Sequence, residues 1–226
     1  ARYGEIVGFS GLVGAGRTEV MKGIFGILRT DSGSICLDGK QIDIRRPRDA
    51  ICAGIAYIPE DRKNEGLILI NSVAFNMTLA ALKDIIKGIR VNKKKRAEMV
   101  KHYVDAFSIK VTSAEQLVGN LSGGNQQKVV LGKWLANKPK VIILDEPTRG
   151  IDVGSKSEIY RIVNQLAGEG VSVILVSSEL PEGINMGDRV YIMSEGHIRG
   201  EISRSEFSQE KIMDYAAGRR ADETEE

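Results

Sequence analysis

Two segments of this 226-residue chain are the most informative about its fold, Leu121–Lys128 (LSGGNQQK) and Val141–Thr148 (VIILDEPT). The first segment places a serine and two glycines at the start of a helix, where backbone N–H groups and the positive end of the helix dipole can bind an anion. The second segment is an apolar strand that ends in Asp145 and Glu146. Two adjacent carboxylates suit the binding of Mg²⁺ and a water molecule. Together the two segments predict a site for an anion and a site for Mg²⁺.

A glycine-rich loop near the N-terminus predicts the phosphate-binding element. It follows a predicted strand, Gly4–Ser10, and leads into a predicted helix from Thr18 to about Ile27. Its backbone N–H groups would surround phosphate oxygens, and the Thr18 hydroxyl would ligate Mg²⁺. The loop consists of Gly11, Leu12, Val13, Gly14, Ala15, Gly16, Arg17 and Thr18. The main alternative is the dinucleotide fingerprint G-x-G-x-x-G, but its third glycine would fall on Glu19. A purely structural turn is disfavoured by the acidic pair at the end of the second segment.

Composition argues against several other classes of protein. A formal net charge of +2 gives no electrostatic basis for nucleic acid as the main ligand. No apolar run approaches the roughly 20 residues that span a bilayer, so we expect any membrane association to go through a partner protein. The two cysteines, Cys36 and Cys52, match no metal or redox spacing and favour a reducing compartment.

The order of predicted elements indicates an α/β fold. Strands at Val141–Leu144 and Val171–Val176 alternate with helices, which is typical of a parallel sheet covered by helices. Two antiparallel β hairpins are expected, one turning at Asp38-Gly39 and one at Glu195-Gly196. Residues 72–118 show helical periodicity and no strand signals. Their basic run, Lys93–Arg96, is interpreted as a solvated helix face, with nucleic-acid contact as the minor alternative.

The predicted organisation is a single domain over residues 1–226. It contains an inserted helical subdomain over about 72–135, a last helix near Gln209–Ala217 and a disordered tail at 219–226.

These motifs closely resemble those of ABC transporter ATP-binding domains over essentially the whole chain. The resemblance implies a P-loop NTPase with an ABC-type ATPase core, and ATP and Mg²⁺ as cofactors. It implies that Asp145, Thr18 and Glu60 hold the metal and that Glu146 is the general base or water-orienting group. Asp152 would lie in the D-loop at the seam with a second domain. The signature residues would contact the nucleotide of that partner domain: Leu121, Ser122, Gly123, Gly124 and Asn125.

Several segments resemble one subgroup more narrowly, namely the ATP-binding proteins of ribose-, galactose- and xylose-type importers. These segments are Gly11–Glu19, Ile58–Leu67, Leu121–Val129, Asp145–Val153 and Val176–Glu182. In that subgroup one polypeptide carries two such domains, and this chain resembles the second. Its first residue, Ala1, fits a domain cut from a longer chain.

The implied partners are a second ABC nucleotide-binding domain, transmembrane permease subunits and, indirectly, a sugar-binding protein, with no nucleic acid. The implied location is peripheral, at the cytoplasmic face of the cell membrane. The segment near Glu60–Leu82 would face the permease.

Three positions depart from the family pattern. Arg17 replaces the lysine of the phosphate loop and has a broad planar fork in place of a compact ammonium. Glu60 replaces a glutamine and adds negative charge beside the phosphates. Ser178 stands at the switch position, where the family has a histidine. Together they predict an impaired site and an isolated-domain ATPase activity that is weak or absent. Tyr3 is too close to the loop to supply the family's adenine-stacking aromatic.

Two alternatives come from other classes of protein. One is an autonomous ABC ATPase of non-transport function, and the other is an inert module that uses the ABC fold only for assembly.

Overall fold

The computed structural model describes residues 1–87, 90–207, 212 and 214–215. These residues form ten strands and eight α-helices. A π-helical turn lies at Arg62–Gly66, and 3₁₀ turns lie at Val118–Asn120 and Arg204–Glu206. In chain order the strands and α-helices are β1 (Ile6–Gly11), α1 (Arg17–Ile24), β2 (Ile35–Leu37), β3 (Lys40–Ile42), α2 (Pro47–Ala53), β4 (Ile55–Ile58), α3 (Val73–Leu79), α4 (Leu82–Ile85), β5 (Ile86–Lys87), β6 (Arg90–Val91), α5 (Lys93–Ala106), α6 (Gly123–Leu135), β7 (Val141–Asp145), α7 (Val153–Gly168), β8 (Ser172–Val176), α8 (Leu180–Met186), β9 (Arg189–Ser194) and β10 (His197–Ser203).

The described chain divides into two compact units. The first unit contains Ala1–Tyr57, Lys140–Pro147 and the described residues from Val163 onward. The second contains Ile58–Pro139 and Thr148–Ile162. The predicted helical subdomain over about 72–135 falls within the second unit, and its limits stay a prediction.

A six-stranded sheet forms the centre of the first unit, in the order β10-β9-β1-β8-β7-β4. Strand β1 runs parallel to β8 and β9, and β7 runs parallel to β8. Strand β10 pairs antiparallel with β9, and β2 with β3. The predicted α/β class, with a parallel sheet and antiparallel hairpins, is therefore confirmed.

The register of the parallel strands positions the candidate site. Val176 of β8 lies opposite both Phe9 of β1 and Asp145 of β7. The carboxyl ends of these three strands therefore meet at one edge of the sheet, which is where open α/β sheets bind ligands. The glycine-rich loop, the acidic pair and Ser178 each follow one of these ends.

The second unit is built around α6. This helix packs against α3 and α5, with the side chains of Met77 and Leu131 fully buried. The expectation of no strands between residues 72 and 118 was wrong, because β5 pairs antiparallel with β6. Each of these strands has two residues, which is too short for an alternating apolar pattern.

Three further predictions can be placed. Lys93, Lys94 and Lys95 are exposed at the start of α5, as expected of a solvated basic face, whereas Arg96 is half-buried and pairs with Glu115. The predicted last helix at Gln209–Ala217 falls largely outside the described residues, and the predicted tail at 219–226 lies wholly outside them. Among the described residues, no helix has the length and apolar character needed to cross a bilayer.

Candidate functional site

The glycine-rich loop connects β1 to α1 in the first unit. Gly16 is the N-cap of α1 with φ 87° and ψ 10°, and none of the described side chains caps this helix end. A residue with a Cβ would be strained there, because positive φ is costly for other L-residues. With no capping side chain, the first N–H groups of α1 are available to an anion. Val13 is 90% exposed, so the tip of the loop is open to solvent. The loop backbone therefore fits a phosphate group.

Asp145 ends β7 as a fully buried carboxylate. The Thr18 hydroxyl donates to Oδ1 at 3.1 Å, and the Tyr57 hydroxyl donates to Oδ2 at 2.8 Å. Burial raises the pKa of Asp145, and the hydrogen bonds from Tyr57 and Thr18 oppose that shift. The structure thus brings together two of the predicted metal ligands, Thr18 and Asp145. Hydroxyl and carboxylate oxygens are ligands that suit Mg²⁺, so these two residues fit such an ion.

The contribution of Tyr57 was not predicted from the sequence. This residue belongs to the otherwise apolar strand Ile55–Ile58. A phenol in a buried apolar strand needs a hydrogen-bond partner, and this need was the available signal. The partner lies 88 positions away, so local sequence patterns could not identify it.

Glu146 follows Asp145 in a left-handed backbone conformation, with φ 46°. For a residue other than glycine this conformation is sparsely populated, and such residues cluster at functional sites. Its Oε2 accepts a hydrogen bond from the Ser178 hydroxyl at 3.1 Å. Its Oε1 lies 3.6 Å from an Arg17 guanidinium nitrogen. Burial raises the pKa of the Glu146 carboxyl, while Ser178 and Arg17 act to lower it.

Arg17 is directed toward acceptors of its own unit. One guanidinium nitrogen donates to the Ser177 backbone carbonyl, and another faces Glu146. Only 8% of the side chain is exposed, and burial lowers its pKa. Two of the three positions that depart from the family pattern, Arg17 and Ser178, therefore both contact Glu146.

The signature segment begins α6 in the second unit. Ser122 is the N-cap, and its hydroxyl oxygen accepts from the Asn125 amide side chain at 2.9 Å. The Asn125 side-chain oxygen accepts from the backbone N–H of Lys110 at 2.9 Å. Leu121 is buried immediately before the cap. Together these contacts fix the position of the helix N-terminus.

Close packing requires a glycine at position 124. A Cβ there would lie 2.5 Å from the Ser155 Cβ and 2.4 Å from its Oγ. Asp152 accepts from the Ser155 N–H at 2.9 Å and from the Ser155 hydroxyl at 2.8 Å. These hydrogen bonds lower the pKa of Asp152 and cap α7. Asp152 is thus linked to the signature helix through Ser155.

Glu60 lies in the second unit, where its carboxylate forms an ion pair with Arg149. Arg62 donates to the carbonyl oxygens of Arg149 at 2.7 Å and Gly150 at 3.2 Å. A cavity of about 360 Å³ adjoins this cluster and is lined by Glu60, Asp61, Arg62, Lys63, Arg149 and Gly150. The role of Glu60 as a metal ligand stays a prediction.

The sequence matches the model of one known protein family. The family model described as ABC transporter matches residues 1–149. This chain belongs to the ABC transporter family.

Two curated relatives are similar to this chain over nearly its whole length. The ribose import ATP-binding protein of Caldanaerobacter subterraneus subsp. tengcongensis is 53% identical over 96% of this chain and 44% of that protein. The xylose import ATP-binding protein of Geobacillus kaustophilus is 51% identical over 96% of this chain and 43% of that protein. This chain thus spans less than half the length of these two relatives.

A solved structure confirms the predicted ABC-type ATPase fold. It is cbiO1 of Clostridium perfringens, described as part of the ABC transporter complex cbiONQ. It matches this chain with a TM-score of 0.76 and 25% identity, and the match covers 93% of this chain and 82% of the cbiO1 chain.

Proposed function

We propose that this chain is the ATP-binding domain of a monosaccharide ABC importer, with ATP and Mg²⁺ as cofactors. Support comes from the ribose and xylose import relatives, which are about half identical to it over nearly its whole length. Its partners would be a second ABC nucleotide-binding domain, in the same polypeptide or a dimer, and transmembrane permease subunits. A sugar-binding protein would act indirectly, and the domain would work peripherally at the cytoplasmic face of the membrane.

We propose further that the domain's own phosphate site is impaired. The observation that carries this proposal is the placement of Arg17 against Glu146 and the Ser177 carbonyl. For the guanidinium to reach a phosphate, it must leave two buried acceptors. Such a move leaves Glu146 as a buried carboxylate without its cation, which is unfavourable.

The same contacts restrict Glu146 as a base, since each of its oxygens keeps only part of its acceptor capacity. One of its oxygens faces Arg17 and the other accepts from Ser178. A general base needs an acceptor atom within hydrogen-bond reach of the proton it abstracts. The positive charge of Arg17 also acts to lower the pKa of Glu146 and so opposes uptake of a proton by the carboxylate. We therefore expect nucleotide binding without efficient turnover.

The proposed role of the metal ligands is to hold Mg²⁺ in position at the phosphate site. Thr18 and Asp145 would hold Mg²⁺, with Glu60 as a further proposed ligand. When bound, Mg²⁺ supplies positive charge that offsets the charge of the phosphates. The chain's own contribution is to fix the Thr18 hydroxyl against the Asp145 carboxylate.

The intact signature would serve the nucleotide of the partner domain. Ser122, Gly123 and Gly124 form the N-terminal turn of α6, where N–H groups and the helix dipole favour an anion. Asp152, held through Ser155 beside Gly124, would lie at the seam between the domains. The domain would thereby complete a nucleotide site whose phosphate loop belongs to the partner domain.

The direct test is to measure Mg-ATP binding and steady-state ATP hydrolysis by the chain alone. We expect saturable binding and no turnover above background. Steady turnover would contradict the proposal and favour an autonomous ATPase. Absence of binding would also contradict it and favour an inert structural module.

A further inference from the structure

The phenol of Tyr57 is buried beside the proposed metal ligands. Tyr57 is 2% exposed, and its flanking residues in β4, Ala56 and Ile58, are also buried. Its hydroxyl lies 2.8 Å from Oδ2 of Asp145. A hydrogen bond from a neutral donor to a carboxylate is stronger than one to a neutral acceptor.

The two oxygens of Asp145 are held by different elements. Thr18 of α1 donates to Oδ1, and Tyr57 of β4 donates to Oδ2. Rotation of the carboxylate would break at least one of these bonds. One donor to each oxygen leaves lone pairs on the carboxylate, which can therefore still bind a metal ion.

Packing fixes the Tyr57 ring independently of the hydrogen bond. The ring centroids of Tyr57 and Phe25 are 5.4 Å apart with an interplanar angle of 32°. Phe25 is the C-cap of α1, the helix that begins at the phosphate loop and carries Thr18. The core therefore sets the position from which the hydroxyl reaches Asp145.

We propose that Tyr57 is a positioning residue for Mg²⁺ at this site and acts through Asp145. The inference rests on the proposed function of the site as one for Mg-ATP. Partners that orient a metal ligand typically change metal affinity 10- to 100-fold when they are removed. Tyr57 would be such a partner, because its hydroxyl orients the Asp145 carboxylate and would not itself contact the metal.

The test uses Tyr57→Phe in the whole chain, because phenylalanine keeps the ring and removes the hydroxyl. ATP binding is titrated with Mg²⁺ and is measured separately in EDTA. We expect the half-saturating Mg²⁺ concentration to rise about tenfold, as for other outer-shell partners, with ATP binding in EDTA unchanged. A loss of packing alone would weaken both.

Two comparisons make the test specific. Tyr191→Phe is the matched control, since it removes another hydroxyl of the same unit, one that accepts from Arg189 at 2.7 Å. We expect it to leave the Mg²⁺ dependence unchanged. In an Asp145→Asn background, Tyr57→Phe should have no further effect on Mg²⁺ dependence.

An unchanged Mg²⁺ dependence in Tyr57→Phe, with wild-type binding intact, would overturn the inference and leave the proposed function standing. An additional effect of Tyr57→Phe in the Asp145→Asn background would overturn its action through Asp145. A wild-type chain that binds no Mg-ATP would refute the proposed function, and the Tyr57 inference with it.

Discussion

The guanidinium of Arg17 lies 3.6 Å from the carboxylate of Glu146, and the two side chains are 8% and 10% exposed. The residue that replaces the phosphate-loop lysine is thus paired with the proposed catalytic base. A buried ion pair gains little net stability, because removing both charges from water offsets their attraction. Loss of one partner is far less favourable, since it leaves the other charge buried. The pair therefore resists separation by a phosphate or by a water molecule.

Arg17→Lys should strengthen nucleotide binding. Lysine places a compact charge where the planar fork of arginine now bonds two protein acceptors. We expect the Kd for Mg-ATP to fall about tenfold, equivalent to about 1.4 kcal/mol, when binding is measured by equilibrium titration. The matched control is Arg29→Lys, at an exposed position past the end of α1. Equal affinities for wild type and Arg17→Lys would contradict an impaired loop.

Arg17 and Glu146 should be energetically coupled. Arg17→Met leaves Glu146 buried without its cation, and we expect it to lower the free energy of unfolding by roughly 3 kcal/mol. Glu146→Gln in that background should restore about half of the loss, because it removes the uncompensated charge. A double-mutant cycle from urea denaturation measures the coupling. Additive effects of the two substitutions would show that the pair does not interact.

Much of the fold follows from sequence because its signals are local. The predicted strand Val141–Leu144 is a continuous apolar run, and the Asp38-Gly39 turn fixes the β2–β3 hairpin. The acidic pair and the glycine-rich loop were likewise predicted from their positions between strand and helix.

The contacts that set the chemistry are not local, and sequence analysis could not supply them. Arg17 bonds the carbonyl of a residue 160 positions away, and Arg62 bonds a carbonyl 87 positions away. The departure of Arg17 from the family pattern was evident in the sequence. Its pairing with Glu146 depends on the register of β1, β7 and β8, which only the folded sheet shows.

Gly124→Ala should destabilise the second unit despite the higher helix propensity of alanine. The new methyl would lie within 2.5 Å of the Ser155 side chain, and such overpacking typically costs about 1–3 kcal/mol. We expect a smaller loss in a Ser155→Gly background, when both are measured by urea denaturation. Gly168→Ala is the control, because a Cβ there would meet no other described residue within 4 Å beyond its own helix and chain neighbours. A loss that is the same with and without Ser155 would exclude this contact as the cause.

Lys133 should make stability depend on pH in the alkaline range. Its ammonium donates to the Gly66 carbonyl at 2.6 Å, and burial lowers its pKa from 10.5 to about 8. Between these two values the unfolded chain binds more protons than the folded chain, so stability rises as pH rises from about 8 to 10.5. At about 1.4 kcal/mol per unit, the rise is at most about 3 kcal/mol.

The contribution of Lys133 is isolated by comparing wild type with Lys133→Met. We expect the wild-type free energy of unfolding to increase relative to the variant between pH 8 and 10. Lys94→Met, at an exposed position of α5, serves as the control and should not change the profile. Parallel profiles for wild type and Lys133→Met would show that Lys133 has an ordinary pKa.

We propose that this domain serves its partner's nucleotide more than its own. The test is ATP hydrolysis by the full assembly of this domain with its partner ABC domain and permease. Ser122→Phe, which blocks the N-terminus of α6, is compared with Glu146→Gln. We predict that Ser122→Phe lowers hydrolysis at least tenfold, whereas Glu146→Gln retains most of it. Near-normal hydrolysis with Ser122→Phe, together with its abolition by Glu146→Gln, would contradict the account.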